Sequence, residues 1–193
     1  MCTIQKIVLH ICCAPCATEV VERLKNQEYG VVGVFYNPNI YPQEEYTKRL
    51  NTLKKLVAKI NFQLLVGPYN ADKWKKQIEE TKEVQLEVEP PQKEPEGGER
   101  CKICYRMRLN YTAEIAKAHG YKIFTTTLTI SPHKSAEIIN YIGKEVGERH
   151  KLEFKEFDFK KQNGFKQSIL LSKKYELYRQ SYCGCKYSTK LNK

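Results

Sequence analysis

The chain has 193 residues, of which 41% are hydrophobic and 28% are charged, and its formal net charge at pH 7 is +11. This length and apolar content predict one domain with a real hydrophobic core, which does not need disulfides for stability. The apolar runs are too short to cross a bilayer, and the start, MCTIQK, lacks a signal-peptide pattern, so we expect a cytoplasmic protein without a membrane partner. The positive charge fits a nucleic-acid partner or a solvated lysine surface equally well.

In the first half of the chain, short apolar runs alternate with segments of helical periodicity. Three strands are predicted, at residues 6–10, 30–36 and 62–66. Helices are expected between them, at residues 17–25 and 43–60. Asn70 is a suitable N-cap for a further helix.

The second half begins with residues 86–100, which are rich in Pro, Glu and Gly and are expected to form a linker or a mobile lid. A helix should run from Cys101 to His119, with Gly120 in the left-handed position after its end. The remaining predicted elements are strands at 122–128 and 152–159 and helices at 134–146 and 165–175. A cysteine-containing tail, residues 178–193, would complete a single catalytic domain of residues 1–193.

Strands that alternate with helices predict an α/β fold, with a mostly parallel sheet of about five strands flanked by helices. The carboxyl ends of such strands share one edge, where ligands bind near a change of strand order. The loop at this edge after the first strand, where nucleotide-binding proteins carry a glycine-rich phosphate loop, reads CCAPC. The sequence contains no GxGxxG, GxxxxGK[ST] or SGGxDS pattern, which removes the main support for ordinary nucleotide binding.

Seven of the eight cysteines lie in three tight groups, and only Cys2 stands alone. Grouped cysteines in a reducing compartment indicate metal binding or thiol redox chemistry. Cys12 and Cys13, together with Cys101 and Cys104 at a helix start, could supply four thiolates to a [4Fe–4S] cluster or to a zinc ion. Neighbouring side chains should diverge on an extended backbone, which makes the Cys12–Cys13 pair poor for a zinc knuckle, but the spacing leaves iron and zinc open.

The third group, Cys183-Gly-Cys185, differs in kind. Two cysteines around a glycine can close a small strained disulfide of the labile, redox-active type. The same two thiolates could instead bind a second, mononuclear iron beside the cluster.

Five blocks of the sequence resemble the QueH family of epoxyqueuosine reductases, which does not use cobalamin. The blocks are HICCAPC (10–16), FYNPNIYPQEEYTKR (35–49), CKICYRMRL (101–109), TTTLTISPHK (125–134) and YRQSYCGCKYS (178–188). Their order and spacing span almost the whole chain. The resemblance implies a Rossmann-like sheet of the adenine-nucleotide α-hydrolase type.

The resemblance also implies an activity: the reduction of epoxyqueuosine to queuosine at the wobble position of tRNAs with GUN anticodons. It implies that Cys12, Cys13, Cys101 and Cys104 hold a [4Fe–4S] cluster. Cys183 and Cys185 would form a redox-active pair or bind an additional iron. Cys16 fits the family motif, but the resemblance does not assign it a role. A ferredoxin or a flavodoxin would be a suitable electron donor, and the anticodon region of tRNA would be the macromolecular partner.

Six further residues are weaker candidates for substrate binding. His133 could give a proton to the departing oxygen, with Lys134 nearby. Arg106 and Arg108 could meet phosphates, because guanidinium groups bind them in a two-pronged manner. Asn37 and Arg49 could contact the modified base or the backbone, although a turn-former and a solvated helix face are the ordinary alternatives.

Three other functions compete with this interpretation. A tRNA-thiolating enzyme that uses ATP should have an SGGxDS loop, which this sequence lacks. A zinc-stabilised RNA-binding module would need no catalytic group. A thiol–disulfide oxidoreductase would need neither metal nor tRNA.

Overall fold

Five parallel strands form the central sheet of the computed structural model, which describes residues 4–83, 94 and 96–188. The strands are β1 (Lys6–His10), β2 (Gly30–Phe35), β3 (Gln63–Val66), β4 (Ile123–Thr126) and β5 (Glu153–Phe154). Their spatial order is β3-β2-β1-β4-β5. The strand order therefore reverses between β1 and β4, and this is the point where parallel sheets of this kind bind ligands.

Helices cover both faces of the sheet. They are α1 (Ala14–Asn26), α2 (Gln43–Ile60), α3 (Ala71–Glu83), α4 (Glu99–Ala118), α5 (Ala136–His150) and α6 (Gly164–Lys174). Because side chains alternate along a strand, Val8 faces the apolar cluster under α3, α4 and α5, whereas Ile7 and Leu9 face the cluster under α1 and α2. The predicted α/β class, with a parallel five-stranded sheet between helices, is confirmed.

Two predicted helix boundaries are confirmed in detail. The amide of Lys73 donates to Oδ1 of Asn70 at 2.8 Å, so Asn70 stabilises the start of α3. Gly120 follows α4 with φ +73°, the left-handed conformation that glycine adopts without a steric cost.

The prediction of a strand over residues 152–159 is wrong beyond Phe154. The chain leaves the sheet there because its polar groups find partners outside it: Nδ2 of Asn140 on α5 donates to the Phe157 carbonyl at 3.2 Å. The ring of Phe159 is buried and stacks on Phe157 with ring centroids 4.7 Å apart. The fourth strand is also shorter than predicted, since Thr126 accepts from the Leu128 amide and begins a 3₁₀ turn, Thr127–Ile130.

The segment predicted to be a linker or lid, residues 86–100, lies mostly outside the described residues, as do Cys2 and the last five residues of the tail. Its end is placed, and Glu99 and Arg100 belong to α4, because the amide of Cys101 already bonds to the Gly98 carbonyl at 2.9 Å. Within the described ranges, no helix has the length and apolar content needed to span a bilayer.

Gly143 on α5 allows the helix to approach β5 closely, because a Cβ atom there would clash with the ring of Phe154. We expect Gly143→Ala to lower the free energy of unfolding by about 1–3 kcal/mol, as overpacking does. Alanine at an exposed helical position would instead raise it by up to about 1 kcal/mol. Urea denaturation measures the change. Glu148→Ala, at an exposed position of the same helix, is the control and should stay within about 0.5 kcal/mol of the parent; a more stable Gly143→Ala protein would contradict the close packing.

Candidate active site

The cysteine loop after β1 lies where the strand order changes. The backbone amide of Cys12 donates to Oγ1 of Thr127, which directly follows β4, at 3.2 Å. The Thr127 hydroxyl in turn donates to Sγ of Cys12 at 3.4 Å. The loop is thus tied to both central strands, and it occupies the place of a phosphate loop, as the sequence predicted.

Three sulfur atoms meet in this loop. The Sγ atoms of Cys12, Cys13 and Cys16 all lie within 4.8 Å of one another, and those of Cys12 and Cys13 are 3.8 Å apart. The expectation that Cys12 and Cys13 diverge is therefore wrong, because the extended backbone ends at Cys13, which is the N-cap of α1. The first turn of α1 then carries Cys16 back toward the other two. The group, here called the three-sulfur group, could hold a metal ion.

The position of Cys16 beside Cys12 and Cys13 was not predicted from the sequence, although a signal was present. Cys13 and Cys16 have the same Cys-x-x-Cys spacing at a helix start as Cys101 and Cys104. This spacing brings the two side chains to one side of the first helical turn.

The three thiols of this group differ in pKa. Hydrogen bonds from the thiols of Cys13 and Cys16, and another from Thr127, hold the pKa of Cys12 well below its ordinary value. Hydrogen bonds with Cys12 and Cys13, together with burial, raise the pKa of Cys16. Cys12 is therefore the group's most acidic thiol and the one best suited to remain a thiolate ligand.

Cys101 and Cys104 lie in the first two turns of α4 and are buried in the apolar cluster against which Cys12 packs. The Gly97 amide donates to Sγ of Cys101 at 3.3 Å. Burial raises the pKa of Cys101, and the neighbouring charges of Cys104 and Cys185 act in the same direction. Neither cysteine belongs to the three-sulfur group, so the structure does not bring the four predicted ligands, Cys12, Cys13, Cys101 and Cys104, all within 4.8 Å of one another.

The tail brings the third cysteine pair to the site. Cys183 is half-buried and Cys185 is buried, and both are free thiols in the structure. Burial raises the pKa of Cys183 to about 12, although Lys134 and Arg108 favour its thiolate. Gln180, from the same segment, donates from Nε2 to Sγ of Cys13 at 3.0 Å. The tail therefore touches the three-sulfur group directly.

A cavity of about 310 Å³ opens between the cysteine loop, the loop after β4 and the tail. Cys12 and Cys16 of the cysteine loop and Cys183 of the tail line this cavity. The charged or titratable side chains on its wall, besides these thiols, include Arg49, Glu96, Arg108, His133, Lys134 and Arg179. The cavity is thus a cationic pocket with sulfur atoms on its wall.

Arg108 is fully buried at this cavity. Its Nε donates to the Cys104 carbonyl at 3.1 Å, while Nη2 has no hydrogen-bond partner in the structure. Burial alone would lower the pKa of Arg108, but the thiols of Cys104, Cys183 and Cys12 raise it above its ordinary value. The guanidinium is therefore a fixed positive charge among three cysteines from three different segments.

Lys134 is the second fixed charge. Its Nζ lies 3.1 Å from Oε1 of Glu96, and its side chain is only 10% exposed. Burial disfavours its charge, but Cys183 and Glu96 more than compensate and raise its pKa. His133 lies beside it on the cavity wall.

The other predicted substrate contacts lie in different surroundings. Asn37 is buried, and its Nδ2 donates to the Ile11 carbonyl at 2.9 Å, which fixes the end of β1. Arg49 is 3% exposed and is bound to Glu45 and to the tail, so it is not on a solvated helix face. Arg106 forms an ion pair with Glu145 of α5 at 2.8 Å and is not among the residues that line the cavity.

His10 is the last residue of β1 and is buried beneath the cysteine loop that follows it in the chain. Burial and the charge of Arg108 lower its pKa to about 3, so the imidazole is neutral at physiological pH. Its ring nitrogens lie 2.9 Å from Oγ1 of Thr126 and 3.4 Å from the Tyr36 carbonyl. His10 therefore links β1 to the ends of β2 and β4.

The fold and the site together define an α/β protein with a Rossmann-like parallel sheet, in which cysteines occupy the position of the phosphate loop. A solved structure, described as the "predicted subunit of tRNA methyltransferase" from Methanocaldococcus jannaschii, has the same fold with a TM-score of 0.51 and 14% identity, over 87% of this chain and 76% of that chain. At this identity the similarity concerns the fold alone.

The family model described as "Epoxyqueuosine reductase QueH" matches residues 7–191. A curated relative of that name from Dehalococcoides mccartyi is 37% identical over 95% of this chain and 92% of its own length. Others, from Streptococcus pyogenes and Thermotoga maritima, are 36% and 32% identical over 96% and 94% of this chain and 71% and 89% of their own. The chain belongs to the QueH family of epoxyqueuosine reductases and is an oxidoreductase. A non-catalytic RNA-binding module is thereby excluded.

Proposed function

We propose that this chain reduces epoxyqueuosine to queuosine at the wobble position of tRNAs with GUN anticodons, in the cytoplasm. The observation that carries the proposal is one cavity wall with sulfur atoms from both ends of the chain. Cys12 and Cys16, near the start of the chain, and Cys183, near its end, all line the cavity. Two cysteines of the three-sulfur group and one cysteine of the tail thus line one cavity, which is large enough for part of a nucleoside.

The donor set fits an iron–sulfur cluster. Cysteine thiolate is the usual ligand of such clusters, and the seven cysteines in the described ranges are all free. Cys12, Cys13, Cys101 and Cys104 would hold the [4Fe–4S] cluster, and Cys16 is a further candidate because its sulfur is in the three-sulfur group. The cluster would supply single electrons at low potential.

The balance of the reaction explains the need for a second redox group. Conversion of an epoxide to an alkene releases the oxygen as water and consumes two electrons and two protons. A [4Fe–4S] cluster commonly passes one electron at a time, so a second store is required nearby. The thiols of Cys183 and Cys185 would provide it by closing a disulfide, which releases two electrons and two protons. Alternatively, the same two sulfurs would bind a mononuclear iron. A ferredoxin or flavodoxin would then restore the electrons.

The fixed cations of the cavity suit the departing oxygen. When the carbon–oxygen bond breaks, negative charge develops on the oxygen, and positive groups that are already in place stabilise it without rearrangement. Lys134 and Arg108 are such groups, because both are buried and charged. His133 lines the same cavity and would give a proton to the departing oxygen.

The proposed tRNA partner gives the net charge of +11 a function. We expect the affinity for tRNA to fall by about tenfold or more between about 50 and 200 mM salt, because each lysine or arginine that meets a phosphate releases counterions. Fluorescence anisotropy with labelled tRNA measures this slope. An affinity that does not change over this range would mean that the basic surface does not bind the tRNA.

The activity itself is tested in cells. In a strain that lacks this gene and has no other epoxyqueuosine reductase, mass analysis of tRNA nucleosides should detect epoxyqueuosine in place of queuosine. Return of the gene should restore queuosine. Unchanged queuosine in the deletion strain would refute the proposal.

A further inference from the structure

The tail segment that carries Cys183 is fastened to the beginning of α2 by a buried ion pair. Glu45 and Arg49 lie one helical turn apart, with Oε1 and Nε 2.6 Å from each other and side chains only 10% and 3% exposed. Nη1 of Arg49 donates to the Cys183 carbonyl at 3.0 Å, and Nη2 donates to the Tyr182 carbonyl at 3.2 Å. We propose that Glu45 and Arg49 form a clasp that positions Cys183 at the cavity wall for reaction; the catalytic part of this inference rests on the proposed function.

The clasp is supported at both ends of the segment. At the first end, the Tyr178 hydroxyl donates to Oε2 of Glu45 at 2.9 Å. At the other end, the Tyr41 amide donates to the Gly184 carbonyl at 2.8 Å, and the Tyr182 hydroxyl donates to the Tyr41 carbonyl at 2.9 Å. Residues 178–184 are therefore held by side-chain and backbone bonds to residues 41–49, two parts of the chain that are more than one hundred residues apart.

Gly184, between the two cysteines, fits against this clasp. Its φ of +117° is a conformation that other residues rarely adopt, and a Cβ atom there would lie 2.8 Å from Nη1 of Arg49. A side chain at position 184 would therefore both strain the backbone and displace the guanidinium. The glycine of the Cys-Gly-Cys motif therefore has two roles. It allows the positive φ of the backbone at position 184, and it leaves room for the guanidinium of Arg49.

Arginine suits this position because its planar group offers several donors in a fixed arrangement. Its Nε, Nη1 and Nη2 atoms are each engaged with Glu45 or with the tail, and the side chain is nearly inaccessible. In this proposal Arg49 positions Cys183 through these bonds. The sequence had instead suggested that Arg49 contacts the modified base or the backbone.

The chain contains a matched arrangement at another place. Glu19 and Arg23 on α1 have the same spacing, with 2.6 Å between Oε1 and Nη2, and Arg23 donates from Nη1 and Nη2 to the Lys161 carbonyl at 3.3 and 3.4 Å. This second pair holds the loop before α6, not the tail. Arg23→Gln is therefore a control that removes the same kind of contact from a different segment.

The test compares Arg49→Gln with Arg23→Gln by hydrogen–deuterium exchange and by anaerobic turnover of epoxyqueuosine tRNA with dithionite as reductant. We expect Arg49→Gln to speed amide exchange in residues 179–186 by about tenfold or more, since charge-assisted hydrogen bonds are lost. Its kcat should fall by about tenfold or more, with KM for tRNA within about twofold of the parent, because misplacement of a reacting group affects the chemical step. Arg23→Gln should speed exchange only around Lys161 and keep its kcat within about twofold.

Three outcomes would overturn the clasp: unchanged exchange in the tail, faster exchange with an unchanged kcat, or an effect on KM alone, which would place Arg49 in contact with the tRNA. If the parent protein itself fails to convert epoxyqueuosine tRNA, the proposed function is refuted, while the exchange data still decide whether the pair holds the tail.

If Arg49→Gln does not fold, Gly184→Ala disturbs the same contact, because its methyl group would displace the guanidinium of Arg49. Gly120→Ala is its control, because Gly120 also has a positive φ, of +73°, but no atom lies within 4 Å of a Cβ built there. The clasp requires that Gly184→Ala, and not Gly120→Ala, increases exchange in the tail and lowers kcat. Equal behaviour of the two variants would contradict it.

Discussion

Replacement of Cys13 by alanine is expected to remove most of the bound iron and all measurable turnover. Cys13 is 1% exposed, its sulfur lies 3.8 Å from that of Cys12, and Gln180 donates to it at 3.0 Å. Loss of an outer contact to a metal ligand already weakens metal affinity by about 10–100-fold, and loss of the ligand itself should exceed this. Iron analysis of anaerobically purified protein, beside a turnover assay, measures both effects.

The same measurement on Cys16→Ala and Cys101→Ala separates two ligand sets. If the cluster is held by Cys12, Cys13, Cys101 and Cys104, Cys101→Ala loses iron and Cys16→Ala retains it. If Cys16 is a ligand, as its place in the three-sulfur group suggests, Cys16→Ala loses iron too. Cys2→Ala is the control, because Cys2 stands apart from the cysteine groups in the sequence. A Cys13→Ala protein with the full iron content would contradict both sets.

Replacement of Cys183 by alanine is expected to abolish turnover while the visible absorbance of the cluster persists. Cys183 lines the same cavity as Cys12 and Cys16, and Cys183 and Cys185 are the two cysteines in the tail sequence. We expect turnover to fall by at least about 10³-fold, as occurs when a group used in the chemical step is removed. Cys185→Ala should have a similar effect, because a disulfide or an iron site at this place needs both sulfurs.

Metal analysis of Cys183→Ala then distinguishes the two forms of the second store. A loss of about one iron per chain, with sulfide unchanged, would indicate a mononuclear iron at Cys183 and Cys185. Unchanged iron would favour the dithiol. Normal turnover by both alanine variants would show that the second store lies elsewhere.

Much of the fold was predictable because the local signals agree with the tertiary structure. Buried parallel strands appear as continuous apolar runs, such as residues 30–36, and the cap at Asn70 has a side-chain signal that tertiary packing does not alter. The failure at residues 155–159 has a tertiary cause. Phe157 and Phe159 resemble strand residues in sequence, but they pack as a ring pair against the helices beyond the short edge strand β5.

The sequence predicted which segments form the candidate site, but not all of the contacts between their side chains. Cysteine spacing and the likeness of the five blocks placed the cysteine loop, α4 and the tail in one site. The meeting of Cys16 with Cys12 depends on where α1 begins, and helix ends are poorly determined by sequence. The burial of Arg49 under the tail depends on a contact between residues 134 positions apart, for which no local pattern exists.

The most direct test of the central claim is the iron and sulfide content of anaerobically purified protein, measured on the same sample that is assayed for conversion of epoxyqueuosine tRNA to queuosine tRNA. A sample that converts the tRNA should contain about four iron and four sulfide per chain, with further iron if the second site is occupied, and should absorb at about 400 nm, as expected for such a cluster. Conversion by a protein that contains only zinc, or no metal, would contradict the claim.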